Sequence, residues 1–164
     1  MPGKYSPVFV IVCLGILVDI VLVNALVGQE KQKLDKRDRM AKDAAEEFIK
    51  AIWKQDLSAT MKTVDVPFFW DGVENIKDRD ALAARLKTML RRDRSKIPFK
   101  TKAVFTFGKL PENSVSKRDL ALLKAILDKS DRLVLIEFMP PGRDGIMIAV
   151  RFRGEKARVV GFRD

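Results

Sequence analysis

The sequence contains no histidine, a single cysteine (Cys13) and a single tyrosine (Tyr5), both close to the N-terminus. From about residue 28 onward it therefore has no thiol nucleophile, no disulfide, no zinc site of the usual Cys/His kind and no imidazole for acid–base work. A phenolic donor is missing there too. Negative charge is scarce: 22 acidic residues face 32 basic ones, for a net charge of +10. Carboxylates are left as the groups to weigh for proton transfer, and no motif for a metal or cofactor is found.

The most informative feature present is the apolar run Val8–Val27, in which fifteen of twenty residues are Val, Ile, Leu or Phe. Twenty residues at ~1.5 Å rise span a hydrocarbon core of ~30 Å. The apolar residues outweigh the roughly 2.5–3.5 kcal/mol cost of Asp19 near the centre. The run predicts a single membrane span. Six basic residues follow it (Lys31, Lys33, Lys36, Arg37, Arg39 and Lys42) against Lys4 before it, which favours a cytoplasmic domain. The competing expectation is a signal peptide cleaved near Ala25, which would export the domain. Cys13 does not fit a lipidated cysteine, because Val12 precedes it and the apolar run continues beyond it.

A second charge feature lies further along. Arg91, Arg92, Arg94 and Lys96 sit among Arg85, Lys87, Lys100 and Lys102. They are either a solvated helix end and loop or a patch for anionic lipid headgroups. The patch lacks the interleaved aromatics of a single-strand groove, which argues against nucleic acid.

The chain divides into an anchor or signal segment (1–28), a charged linker (29–38) and a domain (39–164). In the domain, Ala45, Phe48, Ile49 and Ile52 recur at helical spacing from Arg39 to Lys54. Asp56 caps a short second helix, with Leu57 and Met61 facing inward. Val64–Trp70 is a strand that Pro67 confines to an edge or bulge, and Asp71-Gly72 is a turn. Asp78 opens a helix with Leu82, Leu86, Met89 and Leu90 on one face, and Ser116 opens another to about Lys129. Phe99–Leu110, Arg132–Met139, Ile146–Arg153 and Ala157–Arg163 are strands. Helices first and antiparallel strands last predict an α+β domain, with a curved antiparallel sheet and helices packed on one face.

The stretch Val66-Pro67-Phe68-Phe69-Trp70-Asp71-Gly72, followed by Asn75-Ile76-Lys77-Asp78-Arg79-Asp80-Ala81-Leu82, resembles the SnoaL-like domains of the nuclear transport factor 2-like superfamily. The resemblance covers Arg39 to Asp164. Asp78 replaces the usual Gly, and the helix after Ser116 looks like an insertion. The resemblance implies a cone-shaped, cystatin-like roll with a pocket, in a family of isomerases, cyclases and dehydratases as well as pure binding modules.

Family enzymes resembling ketosteroid isomerase place a carboxylate base where this chain has Phe69, which cannot move a proton. Asp71 and Glu137 remain as candidate bases. Glu137 is either ion-paired across strands with Arg151 and Arg153 on an exposed face, or desolvated in the pocket as an acid–cation pair or base. Trp53, Phe69 and Trp70 either line the cone beside Glu137 and Arg151 or are ordinary core. The expected function is a non-catalytic, membrane-anchored domain that binds a small apolar ligand or another protein, with dimerisation through the open sheet face. The alternative is a small-molecule isomerase or cyclase using a pocket carboxylate.

Overall fold

A computed structural model describes residues 34–90, 97–111, 114–139 and 145–164. The run Val8–Val27 and the patch Arg91, Arg92, Arg94 and Lys96 lie outside them. Among the described residues no helix is long and apolar enough to cross a membrane. Residues Leu34–Asp164 form one compact unit.

Helix α1 (Lys36–Trp53) starts inside the stretch that the sequence reads as linker. Asp35 is the reason. Its carboxylate accepts from the Asp38 amide at 2.7 Å, and the Asp38 carboxylate accepts from the Asp35 amide at 3.3 Å. This reciprocal cap satisfies two of the donors a helix start leaves open. Gln55, at φ 59°, turns the chain out of the helix. Asp56 caps α2 (Leu57–Thr63) by accepting from the Ala59 amide at 2.8 Å. Strands β1 (Val64–Trp70) and β2 (Glu74–Ile76) follow, then α3 (Arg79–Met89), capped by Asp78. Next come β3 (Phe99–Thr106) and α4 (Lys117–Lys124), which is shorter than the sequence predicts. Strands β4 (Arg132–Phe138), β5 (Gly145–Arg153) and β6 (Lys156–Arg163) complete the chain.

The fold is α+β, and its six strands form an open sheet in the order β2-β1-β6-β5-β4-β3. Two details differ from the sequence expectation. The sheet is mixed, because β1 runs parallel to β6. β1 therefore lies inside the sheet, between β2 and β6, so of the two places Pro67 allows, an edge or a bulge, it takes the second. The pairing tolerates Pro67 because the β1–β6 register is interrupted between Val64 and Phe69, where the missing amide needs no partner. The β1–β2 turn needs positive φ at both central residues. Asp71 (φ 44°) and Gly72 (φ 69°) supply it, and the Val73 amide closes the turn on the Trp70 carbonyl at 2.8 Å.

The second difference is that helices cover both faces. On one side α1 and α3 bury Phe48, Leu82 and Leu86 against Phe68, Val134, Ile136, Ile148 and Val150, all essentially inaccessible to water. Alternation along the strands sends Phe69, Leu133, Ala149 and Val160 to the other side. There Leu123 of α4, with Ile126 and Leu127, covers them. The helix read as an insertion thus occupies much of the sheet face left open for dimerisation. Its apolar stripe is legible in the sequence, but its landing place is not. Gly161 permits a close crossing: a Cβ there would sit 2.5 Å from the Phe69 Cβ.

Candidate functional site

The C-terminal half of α1 runs past the start of β3, and a cleft of about 390 Å³ opens between them. Glu46, Lys50, Trp53 and Lys54 line it from the helix, and Ile97, Pro98 and Phe99 from the strand side. On the helix these residues recur at three- and four-residue spacing, so they form one stripe. Trp53 is anchored edge-on against Phe99 (centroids 4.9 Å apart, planes at 84°) and tilted on Phe138 at 5.4 Å. Its indole is a fixed apolar floor. Ile97 stays 38% exposed at the lip. The volume falls in the range of small-molecule sites, which are mostly apolar with a few placed charges.

Those charges are asymmetric. Glu46 is committed: it accepts from the Thr101 hydroxyl at 2.8 Å and pairs with Lys42 and Lys50 at 3.5 and 3.6 Å. Burial alone would raise its carboxyl, but the Thr101 bond and the two lysines outweigh this and hold it below the ordinary range. The Lys54 ammonium has no ion-pair partner among the described residues and is exposed. The cleft therefore presents an aromatic floor, a neutralised acid and a cation unpaired among the described residues. Among the described residues no group of three or more His, Cys, Asp and Glu side chains is placed to hold a metal.

The residues singled out from the sequence are not brought together. Trp53 lines the cleft. Trp70 lies elsewhere, packed on Phe162 at 5.1 Å and Phe68 at 6.3 Å, with the Arg85 guanidinium 5.7 Å from its ring. Phe69 is fully buried on the opposite face, under α4. Glu137 alternates away from Ile136 and Phe138 of the first core. It pairs with Lys100 at 3.1 Å and Lys102 at 3.6 Å, not with Arg151 or Arg153. Across β4–β5 Glu137 lies opposite Gly145, far along the strand from Arg151 and Arg153, whereas on the β3 side Lys100 is directly opposite it and the register shift between Thr101 and Ala103 brings Lys102 within reach as well. The bond from Lys100, with the Lys102 charge beside it, holds the Glu137 carboxyl below its ordinary range despite some burial.

Arg151 instead donates to Asp65 at 3.0 Å and to the Val66 carbonyl at 2.8 Å, and Arg153 joins the same carboxylate at 3.1 Å. Asp71 sits in the β1–β2 turn, where Arg163 pairs with its carboxylate at 3.1 Å and reaches Asp119 at 3.5 Å. Sequence reasoning missed Glu46, Lys50, Lys54, Ile97, Pro98 and Phe99. The helical stripe Glu46–Lys50–Trp53–Lys54 was a readable signal, but the strand that meets it was not.

Neither a family model nor a curated protein matches this chain.

Proposed function

We propose that this chain is a membrane-tethered, non-catalytic binding domain of the nuclear transport factor 2-like kind, held by Val8–Val27. Its ligand is an amphipathic anion, with an apolar body on Trp53 and Phe99 and a negative head at Lys54. The observation that carries this reading is the cleft itself, an apolar floor beside one cation without a carboxylate partner among the described residues. The family reading is supported by the order of elements and by α1 and α3 packed across one face of the sheet.

A binding role is also favoured by where the carboxylates lie. Glu137 and Asp71, the two candidate bases, are each engaged by cations, Glu137 by Lys100 and Lys102 and Asp71 by Arg163. A general base gains from a carboxyl raised toward neutrality, and Glu137 is shifted the opposite way.

The test is calorimetry of the full chain in nanodiscs with 4-phenylbutyrate and its neutral analogue 4-phenylbutanol. Lys54→Glu removes an attraction of ~1 kcal/mol for unit charges ~4 Å apart in water and adds a repulsion of similar size, so it weakens the carboxylate roughly thirty-fold and leaves the alcohol unchanged. Equal loss for both probes, or no binding of either, refutes the assignment. Turnover of a ketone substrate that disappears in Glu137→Gln would establish the enzyme instead.

A further inference from the structure

We propose that the end of the domain formed by the first turn of α1 and the β5–β6 hairpin is a seat for an anionic lipid bilayer. The proposal rests on the reading of Val8–Val27 as a retained anchor. It concerns residues other than the Arg91–Lys96 patch.

Two contacts tie these elements together at one end of the domain. The Lys36 ammonium lies 3.1 Å from Glu155 at the hairpin tip, and the Arg37 guanidinium lies 4.8 Å from the Phe152 ring centre. Of the acids nearby, Asp35 and Asp38 are engaged with Arg132, Glu155 with Lys36, and Asp65 with Arg151 and Arg153, while Asp43, one turn on from Arg39, is not in ion-pair range of it. Arg37, Arg39, Lys156 and Arg158 then have no carboxylate in ion-pair range among the described residues.

The placement of these cations runs against local stability. Lys36, Arg37 and Arg39 stand in the first turn of α1, where the helix dipole disfavours positive charge. Across the hairpin, Arg151 faces Arg158 and Arg153 faces Lys156, and like charges directly opposite repel. A negatively charged partner relieves the first penalty and, at Lys156 and Arg158, what Asp65 leaves of the second. The chain also limits the partner's distance. Val27 and Leu34 are seven residues apart, a reach of at most ~25 Å, so a bilayer that holds Val27 is close to this end. Near an anionic surface each basic side chain strengthens association roughly five-fold.

The test is hydrogen exchange of the full chain in vesicles of phosphatidylcholine, with and without phosphatidylserine. Amides from Arg153 to Arg158 slow about five-fold or more only in the anionic vesicles, and high salt reverses this. Arg39→Glu with Lys156→Glu abolishes the slowing, while Lys87→Glu with Lys117→Glu, which changes the net charge equally, retains it. Equal exchange in both lipids, or equal effects of the two double variants, overturns the proposal. If the chain does not stay with neutral vesicles, the anchor reading has failed. The surface is then judged alone, by sedimentation of the chain with phosphatidylserine vesicles, and no sedimentation overturns it too.

Discussion

Arg132→Met tests how the sheet holds the N-terminus of α1. The Arg132 side chain is 7% exposed and donates to Asp38 at 2.6 Å, to Asp35 at 3.2 Å and to the Ser130 carbonyl. Methionine keeps the stem's packing and removes the charge. A charged hydrogen bond contributes roughly 1.5–3 kcal/mol. The Asp35 arm is 60% exposed and adds no more than ~0.5 kcal/mol. The helix N-terminus returns ~0.5 kcal/mol by favouring the orphaned carboxylates. The net loss is ~2 kcal/mol, below the roughly 3–5 kcal/mol seen when a fully buried pair is broken. For a domain of this size that lowers Tm by roughly 6–10 °C. The assay is thermal unfolding by circular dichroism, in a double-mutant cycle with Asp38→Asn. A coupling of ~1–2 kcal/mol is expected, and a coupling within ~0.3 kcal/mol of zero refutes the reasoning.

Gly161→Ala forces its methyl against the Phe69 Cβ at 2.5 Å and the Phe69 carbonyl at 2.6 Å, so it costs roughly 2–3 kcal/mol in chemical denaturation. Trp53→Ala removes a largely buried indole and costs roughly 3–5 kcal/mol, so its effect on binding is read only in samples shown to be folded. Because Lys100 and Lys102 depress the Glu137 carboxyl, its contribution is fully present above the ordinary glutamate range and is lost as pH falls through the lower folded value. Glu137→Gln therefore flattens the acid limb of the stability profile, from the ordinary glutamate value of about 4.3 downward, and leaves ligand binding unchanged. Denaturant midpoints across that interval check it, and an unchanged acid limb contradicts it.

Much of the fold could be read from local signals. Asp56, Asp78 and Ser116 cap the helices they were assigned, because a cap depends only on the next three residues. The stripe Ala45–Phe48–Ile49–Ile52 is buried as its spacing implies. What escaped the sequence depends on distant partners. The parallel β1–β6 pairing joins residues far apart in the chain. The shift at Lys102 reverses the alternation of β3, sending Val104 to one core and Phe105 to the other. Glu137 meets two lysines because Lys100 is opposite it and that shift adds Lys102, while the β4–β5 register sets Gly145, not an arginine, across from it. The landing of α4 on the second face and the meeting of Trp53 with Phe99 are likewise set by tertiary packing.

The most direct test is nuclear magnetic resonance of the full chain in nanodiscs, titrated with 4-phenylbutyrate and observed at the two tryptophan indole N–H signals. Trp53 lines the cleft, whereas Trp70 packs on Phe68 and Phe162 away from it. The account predicts a saturable shift of the Trp53 signal, with Trp70 stationary and the shift diminished in Lys54→Glu. A shift of Trp70 with Trp53 unmoved contradicts it.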